Sequence, residues 1–593
     1  MLACRQVQAP GERRGQRLNV VLVTLDTTRA DHLGCYGHPV VKTPHLDRLA
    51  NQGVRFQQCV TAAPITLPAH VSIMTSTYPF YHGVRDNGRF ALHGGNVTLA
   101  ELLARSGFRT GAIVGSVVLN RRYGLDQGFD LYNEVDESYV PPPASRPTTQ
   151  EARPPLPRTE RKADEVAELA VAWLRTHAAE KFFLWVHFFD PHWPYEPPPQ
   201  LAASYPHPYL GEIAFMDQQL GKVVEELGRL GLERKTLVVV VGDHGEGLGE
   251  HDEDSHTFFL YDTTMLVPLF FRCPGQVPAG RVVSGQVRTI DIAPTILDLL
   301  GIRDAAHPDA AGVSLTPLLT GGTDDLRLEA YGDTFRPFYV FQHSGLRCLR
   351  WDGWKYIHAP RPELYRVADD PNEQRDLAAQ EPQRLAEARD RLRALLAETP
   401  SPAWLAESGR VLSADERARL EALGYAMGDR REDQRLGANE LARFEPRGED
   451  IKGHTESIRV WSLATAALQT GRFPVAEELY RRLTELEPHS DEFRVKLARA
   501  RIGQGNTEGA IASLREALAI NPASARTHFE LAEQLRLAGQ AGAAAHHYRQ
   551  TLALEPDHAE AARRLPEVSA ATRPSEGVRK IVESDSPATR PGG

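Results

Sequence analysis

Asn19-Val20-Val21-Leu22-Val23-Thr24-Leu25-Asp26 is a nearly unbroken apolar run that stops at a carboxylate. A run this short and this rich in valine reads as a strand buried on both faces, as in the centre of a largely parallel sheet. Three further runs share the form: Lys181 to Phe189, Leu237 to Val241 and Val267 to Phe271. Longer amphipathic segments alternate with them from Leu18 to about Pro400, which predicts an α/β domain with helices on both faces of its sheet. The second run ends at Asp190-Pro191-His192, and the third at Gly242-Asp243-His244-Gly245-Glu246. Sites in such sheets form beyond the carboxyl ends of the strands. One aspartate there is commonly a helix cap. Three strands converging on Asp and His point to a metal site. Asp26, Asp243 and His244 supply two carboxylates and an imidazole, a set suited to zinc or manganese, with calcium also compatible.

A fourth element is Ala63-Pro64-Ile65-Thr66-Leu67-Pro68-Ala69-His70-Val71-Ser72-Ile73-Met74-Thr75. Pro68 suits a first helical turn, and apolar residues follow at helical spacing, so Thr66 sits where loop becomes helix. Two readings stand side by side. Thr66 is an ordinary N-cap, or it is a nucleophile whose helix offers free amides to a tetrahedral anion above the hydroxyl.

The 593-residue chain is too long for one core and should divide into at least two domains. Its net charge of −10 argues against a general nucleic-acid binder. A small anionic substrate would need a local pocket of cations, because the overall field does not attract it. Five cysteines without a CxxC pair are too sparse for a disulfide scaffold and read as unpaired or buried thiols. No apolar run reaches the roughly 18 residues of a transmembrane segment. Without an export signal in its first residues the chain reads as cytoplasmic. Met1-Leu2-Ala3-Cys4, however, resembles the tail of a lipoprotein signal and would fit an exported protein whose true start lies upstream.

The C-terminal part repeats. Gly471, Gly505 and Gly539 step by 34 residues, and the same step links Ala476, Ala510 and Ala544. Leu463, Leu497 and Leu531, then Tyr480, Leu514 and Tyr548, then Pro488, Pro522 and Pro556 keep it too. This pattern resembles three tetratricopeptide repeats, each a helix pair closed by proline. Such arrays stack on a shared core and present a concave face, fit for a protein or peptide partner or for a structural cap. The expected division is a flexible 1–17, a catalytic domain at 18–400 with a proline-dense insertion at Val140 to Pro157, a linker at 401–453, repeats at 454–566 and a disordered tail at 567–593.

Thr24-Leu25-Asp26-Thr27-Thr28-Arg29-Ala30-Asp31-His32-Leu33-Gly34-Cys35-Tyr36-Gly37 resembles the opening motif of sulfatases. Asp190-Pro191-His192-Trp193-Pro194-Tyr195 and Gly242-Asp243-His244-Gly245-Glu246-Gly247-Leu248-Gly249-Glu250-His251 resemble two later ones. Trp354-Lys355-Tyr356-Ile357, Glu363-Leu364-Tyr365 and Asp369-Asp370-Pro371-Asn372-Glu373 resemble the family's C-terminal close. The resemblance covers roughly residues 18 to 400. It implies an alkaline-phosphatase-like mixed sheet sandwiched by helices, metal dependence, and hydrolysis of sulfuric or phosphoric esters.

The chain departs from sulfatases at the nucleophile. Their Cys-x-Pro-x-Arg or Ser-x-Pro-x-Arg, whose first residue becomes formylglycine, appears as Thr66-Leu67-Pro68-Ala69-His70, and threonine cannot become that aldehyde. Their second N-terminal Asp ligand is Thr27. Their Gly-Lys-Trp-His segment appears as Gly115-Ser116-Val117-Val118-Leu119-Asn120, without the sulfate-binding lysine and histidine. The set is similar instead to the superfamily's threonine-dependent phosphodiesterases, phosphonate hydrolases and phosphoethanolamine transferases. That likeness implies Thr66 as a metal-bound nucleophile held with Asp26, Asp243 and His244. It implies His192 and His256 as proton donors or ligands of a second metal. His70, one turn beyond Thr66, would touch the anion or help deprotonate the nucleophile. The alternatives are a phosphoethanolamine-type transferase acting on an envelope acceptor, whose relatives usually carry transmembrane helices, and a non-catalytic repeat scaffold.

Overall fold

The computed structural model describes residues 18–136, 160–302, 310–399, 402, 405 and 444–571. These fall into two compact units, one running to residue 455 and one beginning at 456. The N-terminal 17 residues, the proline-dense stretch and the end of the tail lie outside the described residues.

In the first unit, β1 (Asn19–Leu25) is buried at every position, as its apolar run requires. The remaining strands of its sheet are β2 (Val54–Val60), β3 (Arg109–Val114), β4 (Leu131–Asn133), β5 (Phe182–Phe188), β6 (Thr236–Gly242), β7 (Leu266–Arg272) and β8 (Arg281–Arg288). Their order is β4-β3-β5-β1-β6-β7-β2-β8. β1 lies parallel between β5 and β6, while β7 runs antiparallel to both β6 and β2. The sheet is therefore mixed, and its three central parallel strands are those that end in Asp and His.

Alternation along β1 sorts the faces. Val21, Val23 and Leu25 join Leu184 and Val186 in a core beneath the helices Pro44–Asn51, Ala163–His177 and Pro208–Arg229. Burying each such aliphatic side chain contributes about 1.5–3 kcal/mol. The opposite face carries Leu22 and Thr24, in register with Trp185 and His187. Over it lies helix α1 (Thr66–Thr75), buried throughout its length.

A second, antiparallel sheet has the order β12-β11-β10-β9, from β9 (Ala330–Thr334), β10 (Leu346–Trp351), β11 (Trp354–His358) and β12 (Glu363–Tyr365). Buried Lys355 on β11 reaches Asp262 at 2.8 Å and Glu373 at 2.7 Å, which ties this sheet to the segment just after the His244 loop. Phe444 packs into the same core as Trp351 and Leu364. The described end of the expected linker, 444–453, is thus part of the first unit.

Among the described residues the second unit is a row of seven helices: α2 (Thr455–Gln469), α3 (Phe473–Leu486), α4 (Asp491–Gly503), α5 (Thr507–Ile520), α6 (Ala525–Leu537), α7 (Ala541–Leu554) and α8 (Ala559–Ala571). The first six are the three predicted pairs. Gly471, Gly505 and Gly539 follow the first helix of each pair in the left-handed conformation, φ 70°, 75° and 73°, which accounts for that glycine column. Ala476, Ala510 and Ala544 are fully buried where helices cross. Leu497 and Leu531 are buried, whereas Leu463 in the first repeat is 55 % exposed. α8 contains Pro566 and continues to Ala571.

Candidate active site

The carboxyl ends of β5, β1 and β6 bring the predicted residues together. Asp26 extends the ladder by donating its N–H to Phe188 O at 3.0 Å, and Asp243 does the same to Leu25 O at 3.2 Å. Both carboxylates are fully buried. Asp243 Oδ1 accepts the amides of Thr27 (3.1 Å) and His244 (2.6 Å), which leaves Oδ2 turned inward. Thr27 adopts φ 46° to make this contact, a strained setting for a β-branched residue. Gly245 is required by close approach, since a Cβ there would meet Thr263 O at 2.0 Å.

Ligand atoms of Asp26, Asp243 and His244 lie within 4.8 Å of one another. His244 Nε2 stands 3.7 Å from Asp26 Oδ1 and 3.5 Å from Asp243 Oδ2. The other ring nitrogen, Nδ1, is 3.0 Å from Gly245 O and must donate to it, so Nε2 keeps its lone pair for a metal. Asp26 Oδ1 and Oδ2 and Asp243 Oδ2 accept no hydrogen bond. Burial pushes both carboxyls up, Asp243 well above the usual range with the Asp26 charge adding to it, and holds His244 well below its own. Two buried carboxylates with three oxygens lacking a donor are unstable as anions unless a cation joins them. The donor set fits one divalent ion.

Thr66 is the first residue of α1, and Ile65 before it is the N-cap, with no side-chain cap bond. The N-cap reading of Thr66 therefore does not hold. The hydroxyl lies 3.4 Å from His244 Nε2, at the edge of the metal-type cluster. The expected free amides at the helix start are mostly taken. Leu67 N–H donates to Asn87 Oδ1 at 2.9 Å, Pro68 has none, and Ala69 N–H donates to Ile65 O.

Known families match this chain in the order its motifs suggest. The family described as Sulfatase matches residues 18–302, the family described as N-sulphoglucosamine sulphohydrolase, C-terminal, matches 249–400, and the tetratricopeptide repeat matches 462–525. Residues 18–400 belong to the sulfatase family. Mouse steryl-sulfatase is 25% identical over 447 residues, covering 57% of this chain and 70% of that protein. An ulvan-active sulfatase of Formosa agariphila is 26% identical, covering 64% and 80%. Among solved structures, a phosphonate monoester hydrolase of Agrobacterium radiobacter superposes with a TM-score of 0.53 at 26% identity, covering 67% of this chain and 99% of that one. The protein is a sulfatase-family ester hydrolase with a C-terminal repeat array, and its family is metal-dependent. Among the described residues no helix is long and apolar enough to cross a membrane.

Other predicted residues of this sulfatase-family site take distinct places. His256 stands over His244, ring centroids 4.6 Å apart, and His192 meets His256 edge-on at 5.2 Å. His256 Nδ1 lies 2.9 Å from Glu246 Oε1, and Glu246 Oε2 accepts the Tyr195 hydroxyl at 2.9 Å. Burial pushes Glu246 up to about 8 and His256 down to about 4. His70 Nδ1 must donate to Thr66 O at 2.7 Å, and Nε2 accepts from the Thr24 hydroxyl at 2.9 Å. The Thr24 oxygen in turn accepts Trp185 Nε1–H at 3.0 Å. Both nitrogens of His70 are thus engaged under the helix, which suits anchoring of its first turn rather than contact with an anion.

Sequence reasoning missed His187, Asn87 and the role of Glu246. His187 Nδ1 accepts Gly115 N–H at 3.1 Å, so a neutral ring carries its proton on Nε2, 3.3 Å from Asp26 Oδ2. The signal was a lone polar residue in the strand Phe182–Phe188, in register with Thr24.

Proposed function

We propose that the protein is a metal-dependent hydrolase of phosphoric esters or phosphonates in which Thr66 is the nucleophile. The observation that carries this reading is the Thr66 hydroxyl, free of any capping bond and directed at the cluster of Asp26, Asp243 and His244. Similarity to a phosphonate monoester hydrolase supports it, as does the lack of a convertible cysteine or serine at Thr66. Asp26, Asp243, His244 and Thr66 would hold zinc or manganese, with calcium as the alternative. A bound divalent ion would lower the pKa of the hydroxyl and neutralise charge on the phosphoryl oxygens.

The Thr66 oxygen, its hydroxyl proton already released to solvent, forms a bond to phosphorus as the bond from phosphorus to the leaving oxygen breaks. His256, with His192 beside it, gives the leaving oxygen a proton from Nε2 as the protonated Glu246 carboxyl passes its own proton to Nδ1. Water then attacks phosphothreonine, its proton returns to the histidine, and the threonine oxygen leaves as product departs. Each half-reaction restores what the other used. His187 orients Asp26, and His70 with Asn87 fixes the turn that presents Thr66.

Kinetics on 4-nitrophenyl phosphate, phosphodiester, phosphonate and sulfate test the reading. Thr66→Ser should keep measurable turnover, and Thr66→Ala should lose about three orders of magnitude or more while keeping its metal. Phosphorus esters should exceed the sulfate. Undiminished turnover by Thr66→Ala would refute the nucleophile. Efficient sulfatase activity without phosphatase activity would refute the preference.

A further inference from the structure

Trp193 is 48 % exposed and is the one large aromatic side chain left so open among the described residues. It stacks on no other ring there. Its backbone is nevertheless pinned on both sides. His192 Nδ1 donates to Trp193 O at 2.6 Å, while the His192 ring stacks on Phe189 at 4.3 Å and meets His256. Two residues on, the Tyr195 hydroxyl is held by Glu246, itself the partner of His256. Just before, Pro191 O accepts the hydroxyl of Thr27 beside Asp243. Pro191 and Pro194 bracket the residue and restrict the chain further.

A flexible loop can let an aromatic ring wander. This one fixes the backbone that carries the ring, and leaves the ring open to water one residue from a histidine of the site. An exposed indole on a fixed backbone has only two side-chain torsions to lose when a flat ligand covers it, and gains both buried area and oriented contact. We propose that Trp193 is the platform of a subsite for the organic part of the ester, and that this part carries a flat ring, aryl or pyranosyl. The inference rests on the reading above in one respect, that the anionic end of the ester lies at Thr66.

Calorimetry on the full chain loaded with zinc or manganese tests it with inert probes: methylphosphonate, benzylphosphonate, and the carbon-linked phosphonate analogue of glucose 6-phosphate. Wild type should bind one or both ring-bearing probes about five- to tenfold more tightly than methylphosphonate, and the arm that gains identifies the ring. Trp193→Ala should erase that margin and leave the methylphosphonate Kd unchanged, and Trp193→Phe should restore most of it. Equal binding by wild type within both the phosphonate and the sulfonate series would overturn the proposal, as would a margin that survives Trp193→Ala or a uniform loss across probes. Parallel titrations with methanesulfonate and benzylsulfonate separate the two readings. A ring margin dependent on Trp193 in the sulfonates alone would keep the platform and overturn the preference for phosphorus.

Discussion

The two units bury polar atoms in opposite ways. In the repeats, the buried column of Ala476, Ala510 and Ala544 is small and apolar, and glutamates that approach the core are neutralised, as Glu530 is by Arg499 at 2.6 Å and by Arg526 at 3.1 Å. Those arginines hold the Glu530 carboxyl down at about 2. At the ends of β1 and β6, carboxylates are buried without any such partner, beside a residue with strained backbone. A fold that merely needed stability would not keep Asp26 and Asp243 so. The contrast separates a part of the chain built to stack from a part built to hold a charge it does not itself supply.

The sharpest way to break that contrast is at the carboxylates. Asp26→Ala and Asp243→Ala should each lose metal and roughly three orders of magnitude or more of turnover. Metal content measured on the purified variants decides it, and unchanged content in both would rule out this site. His187→Ala should act more weakly, lowering metal affinity about 10- to 100-fold, because it removes only the imidazole that stands 3.3 Å from Asp26 Oδ2. A chelator titration reads that shift, and no change would make His187 a packing residue.

A smaller effect concerns protons. Burial, with the Glu212 charge adding to it, pushes Asp190 up to about 8, and burial pushes Glu253 up to about 8. Such groups hold protons in the folded state that the unfolded chain releases near pH 4, so stability is lost as pH rises from about 4 to 8. Tm of the metal-loaded protein should fall across that window, and Asp190→Asn should flatten the slope. An identical slope in the variant would show that Asp190 is ionised. The smallest effect is expected from removing 456–593, which leaves every residue of the site in place. Turnover of nitrophenyl esters should stay within about twofold. A large loss in a truncated protein that remains folded would mean that the repeats complete the active site.

The fold was legible because strong rules wrote it. β1 and the glycine column carry period and conformation that few other residues satisfy. Asp26, Asp243, His244 and Thr66 were legible as strand-end and helix-start residues of the metal-binding and nucleophilic types. His187 was not, because a histidine inside an apolar strand looks like a core residue until the register sets it against Asp26. Asn87 lies in Arg85-Asp86-Asn87-Gly88, which reads as a turn, and its bond to Leu67 N–H spans 20 residues. The roles of His70 and His256 depend on which ring nitrogen meets a carbonyl or carboxylate, and spacing along the chain does not encode that.

The central claim is that Thr66 attacks phosphorus, and a trapped intermediate tests it most directly. The metal-loaded protein is mixed with a 4-nitrophenyl phosphodiester or phosphonate, quenched in acid during turnover, digested, and weighed peptide by peptide. The account predicts that the peptide containing Thr66 gains the mass of the transferred phosphorus group, that fragmentation places it on the threonine oxygen, and that the gain vanishes in Thr66→Ala. Steady turnover with this peptide unmodified at every quench time, and with Thr66→Ala equally active, would contradict it.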